Sequence, residues 1–191
     1  MPVELLFSVA IGLALAAACG LRVFAPLFLL GLAAHFGRLH LAPGFDWAGT
    51  TPALVALGTA TVVEIAAYYV PWLDHALDVI SAPAALVAGV VATVAVLGDM
   101  PPWLRWSTGL IAGGGLAGLT KGAAALLRVK STATTGGLAN PVVATGESAG
   151  AVGLSLLAFL VPLLALILVV TVLVAIFRLA HRVAFGRRPA A

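Results

Sequence analysis

Long apolar runs, cut by short clusters of proline, glycine and charge, organise this chain from end to end. Leu5 to Cys19 is the first run. It is long enough, with help from its flanks, for a transmembrane helix, which needs roughly 20 apolar residues. The segment from Gly20 to Pro26 interrupts it, and Leu27 to Phe36 resumes the pattern until Gly37 and Arg38 end it. That second run is short for a full crossing, so it is tilted, half-buried or re-entrant. Ala53 to Val70 follows, carrying Glu64 and ending at Pro71 and Trp72. Pro83 to Gly98 is next, closed by Asp99, Met100, Pro101, Pro102 and Trp103. Ser107 to Leu127 contains Lys121, and Val152 to Phe177 is the last and most purely aliphatic run, with Pro162 as a kink point. The pattern predicts an all-α polytopic bundle of about six spans, with broken or re-entrant segments, in a single domain over residues 1–191.

Composition narrows the class. Of 191 residues, 62% are hydrophobic and 9% are charged, against roughly 25% charged in a soluble domain. So few charges cannot cover a water-facing surface. The net charge of +3 collects at the C-terminus in Arg178, Arg182, Arg187 and Arg188. Beside an apolar span these mark topology rather than a nucleic-acid patch. They place the C-terminus in the cytoplasm, and an even number of crossings of the cell (inner) membrane places the N-terminus there too. The loops with Arg38 and Arg105 then face inward and the Asp74/Asp78 loop outward, as the positive-inside rule requires. Arg128 and Lys130 fall outside, against the rule. Either they serve a site, or the segment after them is re-entrant and the count shifts by one. Trp47, Trp72, Trp103 and Trp106 all lie near predicted ends, as an interfacial aromatic belt does.

The first run also needs a check for processing. Residues 15–20 (LAAACG) resemble a lipoprotein cleavage site. The residues before them include Glu4 and no Lys or Arg, whereas a signal peptide starts basic, so the run is expected to remain as a transmembrane helix. Cys19 is the sole cysteine and cannot form an intramolecular disulfide.

Two polar interruptions are costly at bilayer depth, where an ionised side chain costs roughly 2.5–3.5 kcal/mol on insertion scales and an unpaired backbone group more. The first centres on Arg22 and Pro26. Pro26 lacks the amide proton of a helix ladder, Gly20 relaxes the backbone, and Arg22 places a permanent cation at the break. It is either a tight turn with Arg22 snorkelling to a headgroup, or a broken helix lining a pathway, with Arg22 holding an anion or pairing with Glu64. The second runs from Lys130 to Ser148 and is rich in hydroxyls and small residues. Gly136, Gly137, Asn140 and Pro141 would each interrupt a helix. It is either an external loop or a re-entrant element in which Ser131, Thr132, Thr134, Thr135, Asn140 and free backbone groups replace a solute's hydration shell, with Glu147 tuning charge.

Other groups carry weaker signals. Glu64, with Tyr68 one turn later, is a mid-span carboxylate and so a functional candidate, or else a structural partner of Arg22 or Lys121. Lys121 lies near its span's end and has the alternative of snorkelling. Asp74, His75 and Asp78 make too thin a set for a metal site and read better as an acidic rim. Gly109, Gly113, Gly118 and Gly122 recur at about one turn and form a close-packing face, within the bundle or in a homo-oligomer. No nucleotide loop, zinc motif or nucleophile elbow is present, so neither an enzyme nor a cofactor is expected.

Residues 20–27 (GLRVFAPL), 68–74 (YYVPWLD) and 131–141 (STATTGGLANP) resemble an uncharacterised family of small bacterial membrane proteins known only as a domain of unknown function. The resemblance extends over nearly the whole chain. It implies a small multispanning membrane protein and brings neither a substrate nor site residues. Within the chain, residues 25–27 and 140–142 each follow a glycine-containing break, which raises the possibility of an inverted repeat of the transporter kind. The expected function is a transporter or channel-like protein for an ion or small polar solute, anionic by preference. The alternative is a non-transporting module that binds lipid headgroups or a partner protein through its basic residues. A membrane enzyme acting on lipid is the least supported reading.

Overall fold

A computed structural model describes the backbone of residues 2–185, with side chains for all of these except residues 2, 71–76, 78 and 179–185. Among the described residues every regular element is helical: α1 (Pro2–Leu21), α2 (Phe24–His35), a 3-10 turn (Asp46–Gly49), α3 (Thr51–Ala67), α4 (Pro71–Val96), α5 (Pro102–Thr108), a π turn (Gly109–Gly113), α6 (Gly114–Thr135), α7 (Asn140–Leu160) and α8 (Pro162–Phe185). Proline sets the punctuation. It occupies one of the first two positions of α3, α4, α5, α7 and α8, where its missing N–H costs nothing and its φ is already helical. Thr50 caps α3 by accepting a hydrogen bond from the Ala53 amide. Gly136 and Gly137 end α6 with φ of 63° and 92°, left-handed values that other residues adopt at a cost.

Among the described residues, four segments are long and apolar enough to cross a membrane: Val3–Leu21, Val79–Val96, Pro102–Thr135 and Asn140–Leu160. The protein is therefore a helical membrane protein, and the expected count of about six spans is not reproduced among the described residues. Helix α2 has 12 residues and α3 has 17. At 1.5 Å per residue they reach about 18 Å and 26 Å, short of a hydrocarbon core of about 30 Å. The expected final span, Val152 to Phe177, straddles two helices. Pro162 interrupts the ladder there, while Val161 N–H to Leu157 O (2.8 Å) and Ala165 N–H to Val161 O (3.1 Å) carry it past the break.

Small residues hold the bundle together. Ala14, Cys19, Ala85, Ala88, Ala92, Ala95, Ala158 and Ala165 are buried in one cluster, while Val62, Val79, Val87, Ile111, Leu119, Leu126 and Ile167 face outward. Small side chains inside and branched aliphatic ones outside is the arrangement of helices packed in lipid. The glycine stripe follows the same logic. Gly109 meets Val94, Gly113 meets Thr93 and Gly89, and Gly114 meets Val90, so α4 lies against this face; Gly122 faces open space.

Contacts along the helices give their directions. Gly12 abuts Thr93 and Val96, whereas Gly20 abuts Ala117 and Lys121. The end of α1 bonds to α7 near its start, through Arg22. Helices α4 and α7 thus run opposite to α1, and α6 runs with it. Helix α2 turns back beside α4: Leu27 and Leu30 share a small apolar recess with Val91 and Ala95, and Ala42 N–H bonds Ala95 O at 2.7 Å. The proline-led starts of α2 and α7 therefore lie toward the same end of the bundle, and both helices run away from it. This corrects the expected inverted repeat, whose members would point in opposite directions.

The segment from Lys130 to Ser148 also differs from an extended loop. Helix α6 continues to Thr135, only residues 136–139 turn, and α7 begins at Asn140.

Candidate functional site

Five helices send polar groups to one buried point, where α1 ends and α2 begins. Arg22, at the C-terminal end of α1, is 1% exposed. Its Nε donates to Ser148 Oγ at 2.9 Å and its Nη2 to Ala144 O at 2.8 Å, both on α7. Its Nη1 lies 3.4 Å from Glu147 Oε2 and has no hydrogen-bond partner. From α6, Arg128 grips the same carboxylate with two donors. Nε donates to Oε1 at 3.0 Å and Nη2 to Oε2. This is a bidentate fork, the strong form of the pair.

Tyr68 follows the last turn of α3 and lies beneath both guanidiniums. Arg22 Cζ is 3.8 Å and Arg128 Cζ 4.3 Å from the ring centroid, and Lys121 Nζ is 6.0 Å away. An aromatic face attracts a desolvated cation by about 2 kcal/mol. The Tyr68 hydroxyl donates to Ser81 Oγ on α4 at 3.2 Å.

Glu64 has a different partner from the arginine or lysine considered for it. Its carboxylate accepts the Val23 N–H at 2.8 Å and the Phe24 N–H at 3.0 Å. These are the free amides at the start of α2, where the helix dipole also favours a negative charge. The sequence explains why the amides are free. The α1 ladder ends with the Arg22 N–H bonded to Ala18 O at 3.1 Å, and α2 starts afresh with Pro26 in its first turn.

Of the residues singled out by sequence, Arg22, Glu64, Tyr68, Lys121 and Glu147 gather here, and all are buried. Pro26 is buried in the first turn of α2. Ser131, Thr132, Thr134, Thr135, Asn140 and Pro141 lie on the α6–α7 hairpin, beyond the cluster. Their polar atoms largely serve the hairpin itself. Thr134 and Thr135 donate back to Lys130 O (2.9 Å) and Ser131 O (2.8 Å). Asn140 Nδ2 donates to Thr132 Oγ1 at 3.1 Å. Asp74, His75 and Asp78 lie outside the described side chains, as do the C-terminal Arg182, Arg187 and Arg188.

The residue whose role sequence left undecided is Arg128, and Ser148, Ser81 and the Ala144 carbonyl were passed over. A signal was present. Ala117, Lys121, Ala124 and Arg128 recur at helical spacing and are the buried stripe of α6. Ala144, Glu147, Ala151, Ser155 and Ala158 form the matching stripe of α7. A charged residue in register with an alanine face belongs to the interior.

Away from this cluster, a surface pocket of about 350 Å³ lies at the other end of α2, lined by His35, His40, Asp46 and Thr50. The His35 ring donates from Nδ1 to Gly49 O at 2.8 Å there.

No curated protein and no solved structure matches the chain. A family model covers residues 9–182, nearly the whole bundle and every residue of the buried cluster. The chain thus belongs to the family described as a domain of unknown function (DUF4126).

Proposed function

We propose that this protein is a small transporter or channel-like protein of the cell membrane, moving an ion or small polar solute past the buried cluster. Both termini lie in the cytoplasm in this reading, with the α6–α7 hairpin on the opposite side. One observation carries it: charged groups from α1, α3, α6 and α7 meet at a helix break inside the bundle. Burying that much charge is expensive, and removing one member of a buried pair costs roughly 3–5 kcal/mol. Stability alone is better served by apolar packing. In membrane bundles such groups mark the paths of ions and solutes.

The break itself supports the reading. Discontinuous helices bring backbone amides to mid-bundle, where a solute can use them. Here Glu64 covers those amides and Glu147 covers the guanidiniums, which describes a closed path.

The test is flux into liposomes holding the purified protein, with a panel of inorganic ions and small solutes. At least one should enter faster than into empty liposomes. Arg22→Ala and Glu64→Gln should each slow that entry about tenfold or more, corresponding to roughly 1.4 kcal/mol on the barrier. Absence of flux for the whole panel, or variants as fast as the parent, would remove the proposal.

A further inference from the structure

We infer that the Glu147 carboxylate is an internal stand-in for an external anion, and that the Arg22–Arg128 pair is a binding site for a small monovalent oxyanion of carboxylate type. The inference rests on the transport reading for its purpose and on the cluster's geometry for its chemistry.

The geometry is that of a ligand site with its ligand tethered. One carboxylate is held by guanidiniums from two helices, α1 and α6, and neither guanidinium is on the helix that bears it. Arg128 engages both oxygens through Nε and Nη2. A planar fork of this kind matches a planar oxyanion, and an ammonium could not reproduce it. Arg22 is held in place by Ser148 Oγ and Ala144 O, so its head group is oriented independently of Glu147. That leaves Nη1 aimed at Oε2 from 3.4 Å without a hydrogen bond. An untethered anion can move the short distance that the α7 backbone denies to Glu147 and satisfy this donor.

Burial supplies the affinity. Arg22, Arg128 and Glu147 are 1%, 4% and 6% exposed, so an anion here meets little competing water. The Tyr68 ring beneath both guanidiniums keeps them in place without contributing a formal charge. The tether has an adjacent point of freedom: Gly146 precedes Glu147, and nothing lies within 4 Å of where its Cβ would be. Glycine in a helix interior lowers the cost of local distortion. Entry of the solute then requires Glu147 to give up the fork, so the residue is at once the closing element and the competitor.

The experiment is chemical rescue. Glu147→Ala removes the tethered carboxylate with its Cγ and leaves an acetate-sized space, which formate fits. In detergent, the full-length variant should melt below the parent. Formate at about a hundredfold excess over its dissociation constant should then raise its Tm by roughly 5–10 °C, saturably. Formate should shift the parent by less than about 1 °C, because Glu147 already fills the site. The double variant Glu147→Ala/Arg22→Ala should show no saturable rescue. Should Glu147→Ala not survive purification, it is prepared in parallel in formate and in gluconate. Recovery of monodisperse protein in formate alone supports the inference, and equal loss in both overturns it.

An equal formate response in the parent, or undiminished rescue without Arg22, also overturns it. The two proposals separate cleanly. Rescue without flux upholds the anion site and removes transport, whereas parental flux without rescue does the reverse.

Discussion

Glu64 shows how a single residue can matter through the backbone it serves. A charge at mid-span is visible in sequence, and so is the helix break at Arg22. The connection between them is not, because Glu64 lies forty residues beyond Phe24 and its partners are main-chain amides with no sequence signature. The expected cation partner, Arg22, is engaged instead by α7. The physical reason is that the Arg22 guanidinium finds two hydrogen-bond acceptors and a neighbouring carboxylate on α7, while the free amides of α2 offer the Glu64 carboxylate two bonds at a positive helix end. Glu64→Ala should therefore destabilise by about 3 kcal/mol, or ~10 °C in Tm, by leaving both amides unpaired. Glu64→Gln keeps an acceptor oxygen and should lose about half as much. Thermal melts in detergent check this, and equal effects of the two variants would show that the amides do not depend on the carboxylate.

At the scale of elements, the apolar runs were readable and their ends were not. Helix α1 is longer than its expected run at both ends, α3 starts at Thr51 but stops at Ala67, and α4 starts at Pro71, so its backbone is helical through the segment read as the Asp74/Asp78 loop. Residues 130–148 read as a loop or re-entrant element because Gly136, Gly137, Asn140 and Pro141 would each interrupt a helix. In the folded protein Thr134, Thr135, Thr145 and Ser148 each bond the carbonyl one turn back. That pairs these hydroxyls within the helices themselves, while the buried Ser131 Oγ has no hydrogen-bond partner. Only Gly136 and Gly137, with positive φ, break the run. The glycine stripe was legible as a packing face, but which part of it touches a neighbour depends on α4. A Cβ on Gly113 would collide with Thr93 and lie 2.7 Å from Gly89 O, whereas Gly122 has open space. Gly113→Ala should cost about 1–3 kcal/mol through overpacking. Gly122→Ala should gain roughly 0.5–1 kcal/mol from helix propensity. Unfolding in mixed micelles measures both, and similar effects at the two positions would contradict the α4–α6 contact.

For the whole molecule, the helix directions put the α6–α7 hairpin at the end opposite the start of α1. Cys19 is fully buried, so the parent chain offers a quiet background for cysteine labelling. Leu138→Cys, at a site 87% exposed, should react in intact cells with a membrane-impermeant maleimide. Ala144→Cys, buried beside Arg22, should stay unreactive after permeabilisation. Labelling of Leu138→Cys only after permeabilisation would reverse the proposed orientation. Sequence alone determined that this is a helical membrane protein broken near Arg22 and near Gly136, since hydropathy, proline and glycine act locally and each run carries its own signal. It also marked most of the buried charges, because an ionisable residue in an apolar run stands out wherever it falls. The tertiary structure decided which charges meet and that Glu147 is the shared partner of Arg22 and Arg128. Those outcomes follow from how helices distant in the chain pack side by side, and interhelical geometry is set by small-residue faces whose partners no local pattern names.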